Sequence, residues 1–167
     1  RSLYNHHNDG MRCIYSSRLR PIVSMRPKYR YWLTGAPRHL SADLYLISWL
    51  EEKGFPYDVI TDEDLHHEGK DILESYNVII TGSHPEYWTA PMMAGMEDYL
   101  DNGGRTMYLG GNGMYWVTGV DSERPHVIEV RRSISGFLER EGAPGEGHLS
   151  TTGEPGGLWR GRGKAPN

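Results

Sequence analysis

Two stretches of this sequence gather side chains that could do chemistry. Thr81-Gly-Ser-His-Pro-Glu-Tyr-Trp88 sets an imidazole, a carboxylate, a phenol and an indole almost side by side. Pro85 fixes its own φ and pushes His84 toward extended backbone, so His84 and Glu86 stand at a defined spacing on stiff chain. Such preorganisation suits metal binding or acid/base work, because little ordering remains when a ligand arrives. The bland alternative is that His84 and Glu86 cap the helix opening near Thr89 and satisfy each other. The second stretch, Leu109-Gly-Gly-Asn-Gly-Met-Tyr-Trp116, reads as a strand-turn-helix elbow whose small flanking residues permit a strained central one. A nucleophile elbow holds Ser or Cys at its centre. Here Asn112 stands there, and an amide is no nucleophile, so an acyl-enzyme route at this elbow is excluded. Asn112 is left to orient a carbonyl or donate to an oxyanion, or simply to hold a left-handed turn among glycines.

Other reactive side chains carry less. His6 and His7 near Asp9, and His66 and His67 after the acidic run Asp62 to Asp64, lack i, i+4 ligand spacing and a cysteine partner, so a structural zinc site is not expected. No GxGxxG or GxxxxGK[ST] string supports a nucleotide cofactor. Cys13 has no cationic context and reads as an ordinary thiol. The aromatics Tyr87, Trp88, Tyr115 and Trp116 have a competing use, packing the edge between the two loops. Arg131 and Arg132 read first as a solvated strand end, with a cationic group contributed near the site as the alternative.

The whole chain constrains the partners. Its 18 Lys and Arg against 22 Asp and Glu leave a net charge of -4, which offers no field for a polyanion, so nucleic acid is not an expected partner. No apolar run nears the roughly 18 to 20 residues of a membrane span, and no secretory leader is recognisable. With one cysteine, an intramolecular disulfide is impossible, and a soluble, cytoplasmic protein is expected.

These loops need elements to position them. Residues 1–28 are polar and basic and read as an arm of a larger chain. Residues 29–132 alternate strand-like and helix-like segments. Residues 133–167 are glycine-rich and read as loop leading into a further part of the fold. Strands are expected at Tyr29 to Thr34, Tyr57 to Thr61, Asn77 to Thr81 and Arg105 to Gly110, with Val127 to Arg131 as a fifth. Helices are expected after Ser41, with Leu40, Leu44, Ile47 and Leu50 on one side as far as Gly54; after Asp62; and after Thr89, with Met92, Met96, Tyr99 and Leu100 on one side as far as Asn102-Gly-Gly104. Alternating strands and helices imply a parallel sheet covered on both faces, an α/β three-layer sandwich. With a flavodoxin-like strand order, any site falls at the carboxyl ends of the strands, in the loops Gly35 to His39, Gly82 to Trp88 and Gly110 to Trp116.

At this point longer strings become specific. Ser41-Ala-Asp-Leu-Tyr, Tyr57-Asp-Val-Ile-Thr-Asp-Glu-Asp-Leu-His66, Thr81-Gly-Ser-His-Pro-Glu-Tyr-Trp88, Tyr108-Leu-Gly-Gly-Asn-Gly-Met-Tyr-Trp116, Arg124-Pro-His-Val-Ile-Glu-Val-Arg-Arg132 and Gly156-Gly-Leu-Trp-Arg160 resemble the large (beta) subunits of the N,N-dimethylformamidase family. The resemblance covers nearly the whole chain, and its most specific parts are the two loops. It implies a domain similar to class I glutamine amidotransferases, an incomplete flavodoxin-like fold without their catalytic cysteine. It also implies hydrolysis of N,N-dimethylformamide to formate and dimethylamine, with a mononuclear ferric iron held by two tyrosines and a glutamate. Carried onto this sequence, Glu86 is the carboxylate ligand and Tyr4, within Leu3-Tyr-Asn-His-His7, is one tyrosine; the second is expected before Arg1. His84 and Asn112 are then catalytic neighbours. The implied partners are a small amide substrate, a small subunit and further copies of the full-length protein. Phenolate and carboxylate are hard donors that favour ferric iron over zinc. The competing class of function is a non-catalytic, amidotransferase-like module that binds a small molecule or a subunit.

Overall fold

The computed structural model describes residues 2–132 and 147–162. In chain order its elements are β1 (Tyr15–Ser17), α1 (Leu40–Lys53), α2 (Asp62–Glu68), a 3-10 turn (Gly69–Ile72), β2 (Ile79–Ile80), β3 (Tyr87–Trp88), α3 (Ala90–Asp101), β4 (Thr106–Met107), β5 (Trp116–Val117), β6 (Gly119–Val120), β7 (Val127–Glu129) and a 3-10 turn (Trp159–Arg162). This is a mixed α/β architecture with three helices and small sheets, and no closed barrel among the described residues. The strands order as antiparallel β1-β7-β6, parallel β2-β4 and parallel β3-β5.

The chain divides into two compact units. One holds Arg1–Pro21, Glu86–Met93 and Met114–Asn167; the other holds Ile22–Pro85 and Ala94–Gly113. Both chemistry-bearing loops are cut by this division, after Pro85 and after Gly113.

The helices form where local signals place them, with shifted caps. Gly54 ends α1 in the left-handed conformation at φ 69°, donating to Glu51 and Leu50 carbonyls. Its N-cap is His39 at φ 56°, not Ser41; Ser41 sits in the first turn, its hydroxyl donating to the Arg38 carbonyl at 3.0 Å. Thr61, not Asp62, caps α2. The Thr61 hydroxyl accepts the Asp64 amide while the Asp64 carboxylate accepts the Thr61 amide, a reciprocal capping box. Thr89 caps α3, taking the Met92 amide at 3.4 Å. Met92, Met96 and Tyr99 are buried as the spacing predicts, but Met93 is buried where Leu100 was expected.

The strands depart further from expectation. Asn77 to Thr81 and Arg105 to Gly110 do yield a parallel pair, Ile79 opposite Thr106 and Ile80 opposite Met107. Tyr29 to Thr34 instead folds on itself, because the Tyr31 carbonyl accepts the amides of Thr34 and Gly35, and Trp32 stays 80 % exposed. Tyr57 to Thr61 has no strand pairing among the described residues, and Val59 is exposed. A β-rich composition makes a strand only when a partner is in register. Val127 to Arg131 forms β7, but it pairs antiparallel with β6 and β1. The short link from Asp121 to His126, closed by the Arg124 guanidinium on the Asp121 carboxylate, leaves no room for the crossover that parallel pairing needs.

The loop reading from Ser133 onward lies outside the described residues for 133–146 and 163–167. Residues 147–162 are loop apart from a His148–Pro155 bridge, a Leu158–Trp116 bridge and the closing 3-10 turn. Buried Glu129 anchors this segment, accepting from the amides and hydroxyls of Ser150 and Thr151 and from the Arg131 Nε.

Candidate functional site

Glu86 stands at the start of β3. Its carbonyl accepts the amides of Tyr115 (3.1 Å) and Trp116 (2.9 Å), which zips β3 to β5 in register, Tyr87 opposite Trp116. Backbone pairing thereby fixes the direction of the Glu86 side chain. That carboxylate is 6 % exposed and its Oε1 accepts the Trp116 indole N-H at 3.0 Å. A buried carboxylate is tolerated only when donors reach it. Trp116 meets that demand with a rigid donor and packs into a small core with Leu3, Val130, Tyr87 and Tyr115.

Leu3 brings Tyr4 with it. Leu3 is buried in that same core, and the Tyr4 hydroxyl points to both Glu86 oxygens, at 3.3 and 3.4 Å. These separations exceed the roughly 2.6 Å of a tight phenol-carboxylate bond. Two hard oxygen donors thus face each other without being closed on each other. Among the described residues no group of three or more His, Cys, Asp or Glu could hold a metal ion. A cation at this place would have to be taken by phenol and carboxylate oxygens, and that donor pair fits a hard trivalent ion.

Three further side chains complete the arrangement. The Tyr87 hydroxyl donates to the Tyr4 oxygen at 3.0 Å. Arg132 is 5 % exposed and lays its guanidinium over the rings of Tyr4 (5.3 Å) and Trp116 (5.2 Å), while Nη1 donates to the Leu3 carbonyl at 3.3 Å and Nη2 reaches the Tyr87 hydroxyl at 3.5 Å. Burial, then the hydrogen bond to Tyr4 and the nearby Glu86 charge, push the Tyr87 phenol well above its usual pKa, so it remains a donor. Arg131 and Arg132 are therefore not a solvated strand end. Arg132 keeps the two-residue parity of Ile128 and Val130, which face the core, and Arg131 keeps that of Glu129, which it pairs. That parity was the available signal in the sequence. Tyr87 and Trp116 are packing aromatics as well as hydrogen-bond donors.

The other unit holds His84 and Asn112. The Arg38 Nη2 lies 3.2 Å from His84 Nε2. A guanidinium only donates, so Nε2 is the acceptor in this contact. Asp43 accepts the Ser83 amide at 2.6 Å, holding the loop that carries His84. Gly110 lies against that loop: an added Cβ would meet the Gly82 oxygen and Pro85 Cδ at 2.7 Å each. Asn112 is exposed at φ 51°, the left-handed conformation that the turn reading describes, and the next amide, Gly113, donates to the Tyr108 hydroxyl at 2.8 Å. Of the residues singled out from sequence, Tyr4 and Glu86 meet within one unit, while His84 and Asn112 belong to the other. Cys13 is buried with its sulfur 3.6 Å from His7 Nε2, and His66 and His67 stack edge-on along α2. No helix among the described residues is long and apolar enough to cross a membrane.

Comparison with known proteins bears on the chain as a whole. A family model described as N,N-dimethylformamidase beta subunit-like, C-terminal, matches residues 1–167. The N,N-dimethylformamidase beta subunit of Paracoccus aminophilus is 50 % identical over 164 residues, covering 98 % of this chain and 21 % of that protein. The beta subunit of the same name from Alcaligenes sp is 49 % identical over 164 residues, again 98 % of this chain and 21 % of the relative. The chain thus spans about a fifth of the length of these curated relatives.

Proposed function

The chain belongs to the N,N-dimethylformamidase beta subunit-like, C-terminal family, and from that premise we propose that it carries part of the site at which a small N-substituted amide such as N,N-dimethylformamide is hydrolysed to formate and an amine. The observation that carries this reading is the approach of the Tyr4 phenol to the buried Glu86 carboxylate at 3.3 and 3.4 Å. These two residues are proposed ligands of a mononuclear ferric iron, with a second tyrosine from sequence outside this chain. Bound there, iron supplies Lewis-acid polarisation of the amide carbonyl and a lowered pKa for water.

The protein's own groups do the rest in this reading. Trp116 holds Glu86 Oε1 with its indole, so the carboxylate is oriented before any ligand arrives. Arg132 supplies a fixed positive charge beside Tyr4. His84, two positions before Glu86 in the chain, is proposed to relay a proton from the attacking water to the leaving amine, and the Asn112 amide to donate to the developing oxyanion. The parallel β2-β4 pair is proposed to be a piece of a larger flavodoxin-like, class I glutamine amidotransferase-like sandwich. A small subunit and further copies of the whole protein are the proposed partners, and the reducing cytoplasm the proposed compartment.

The test is iron content and formate release from N,N-dimethylformamide, measured on the intact protein with its partner subunit. Wild type should contain iron and release formate, and Glu86→Ala should lose both. Retained iron and full activity in Glu86→Ala would sink the reading; an iron-free, inactive wild type would favour the non-catalytic binding module.

A further inference from the structure

Tyr4 is 58 % exposed, yet its hydroxyl is held in one direction. A phenol on a short turn near the start of the described chain has two soft torsions and, if left alone, many rotamers. Three contacts remove that freedom. Leu3, the preceding residue, is locked in the core and its carbonyl takes Arg132 Nη1. The guanidinium lies over the Tyr4 ring and over the Trp116 ring, and the Trp116 indole also holds Glu86. Finally, Arg132 Nη2 approaches the Tyr87 oxygen, which biases the Tyr87 hydrogen away from the guanidinium and toward its neighbour, the Tyr4 oxygen. The donors run in one order: Arg132 to Tyr87, Tyr87 to Tyr4, Tyr4 to Glu86.

We propose that Tyr87 and Arg132 are positioning residues for the Tyr4 oxygen, a paired support that holds it aimed at the Glu86 carboxylate, where a cation would be taken. The inference rests on the reading of Tyr4 and Glu86 as iron ligands. Were a cation held there, the hydrogen that Tyr4 donates to Glu86 would pass to solvent, while the hydrogen that Tyr4 accepts from Tyr87 would stay. Tyr87 then withdraws electron density from the phenolate, and the fixed Arg132 charge stabilises the same anion across the ring face. Both residues act through Tyr4 rather than on the substrate.

Ferric iron alone is the probe, titrated into the intact protein freed of metal, with the phenolate-to-iron charge-transfer absorption and the dissociation constant as readouts. Tyr87→Phe keeps the ring and removes one O-H. It should move the absorption to longer wavelength, because a phenolate without its donor gives up electron density more easily, and weaken iron binding about 10- to 100-fold. Arg132→Lys keeps the charge but not the two-pronged reach, and should weaken binding in the same range. Tyr115→Phe, whose ring packs on the same core, should change neither readout. If Arg132→Lys fails to fold, Tyr87→Phe decides. Wild type that shows the band while Tyr87→Phe matches it in position and affinity would overturn the inference and leave the iron reading standing. Weaker binding with no movement of the band would reduce Tyr87 to packing and overturn it equally. A wild type that takes up no iron and shows no band would overturn both.

Discussion

The indole N-H of Trp116 and the Oε1 of Glu86 are 3.0 Å apart, and both groups are buried. The same two residues are joined through the backbone, where the Trp116 amide donates to the Glu86 carbonyl at 2.9 Å. Main chain and side chain thus fix the carboxylate together, and a ligand arriving at Glu86 meets an acceptor whose orientation is already set.

Trp116→Phe keeps most of the ring and deletes the donor. A buried carboxylate oxygen that loses a donor costs about 1–3 kcal/mol. We expect a drop of that size in the urea midpoint stability, together with weaker iron binding by the intact protein. Unchanged stability and unchanged binding would show that Glu86 does not depend on the indole.

Glu129 provides a pH-dependent handle. Burial by itself would raise its pKa, but hydrogen bonds from Ser150, Arg131 and Thr151 outweigh that and hold the carboxyl below its usual 4.5. A carboxyl lowered in the folded state contributes stability that is fully present above its unfolded pKa. That stability is lost as pH falls through the folded value. Stability should therefore fall with acid below about pH 4.5, and Glu129→Gln should flatten that limb while costing about 3 kcal/mol at neutral pH, since it strips the charge from a buried pair. The check is chemical denaturation at a series of pH values; parallel acid limbs for the two proteins would refute it.

Gly110→Ala tests the seat of the His84 loop. Its Cβ would press on the Gly82 carbonyl and the Pro85 ring, neither of them a flexible side-chain end. The expected cost is about 1–3 kcal/mol from overpacking, with formate release falling more than iron content. Thermal melts and kinetics on the same preparation read both, and a variant that melts with wild type would show that the loop has slack there.

His84→Ala separates proton transfer from metal binding. Iron content should stay at the wild-type level while kcat drops about 10²- to 10⁴-fold, the usual contribution of a positioned acid or base. An intact kcat would remove His84 from the proposed chemistry. Loss of iron instead would make it part of the metal's surroundings.

How far this was legible in the sequence differs by element. Asp62, Gly54 and Thr89 mark helix ends because caps act over a few residues, and only the assignment of the cap to Thr61 rather than Asp62, and to His39 rather than Ser41, needed coordinates. The strands were harder. Tyr29 to Thr34 has the composition of a strand, but turn hydrogen bonds within the segment capture its backbone instead. The parity of Ile128, Val130 and Arg132 was present in the sequence, yet a paired arginine at a strand end looks solvated until the aromatics that cover it are known.

What the sequence determines by itself is local or shared with relatives: the three helices, whose hydrogen bonds close within each element, and the loop strings that mark the family. What only the tertiary structure decided is the meeting of Tyr4 with Glu86 across 82 positions, the burial of Arg132 against two rings, and which of the expected strands found a partner. The reason is the same in each case. A helix satisfies its own backbone, whereas a strand edge, a buried carboxylate and a buried guanidinium are tolerated only when groups from distant segments satisfy them.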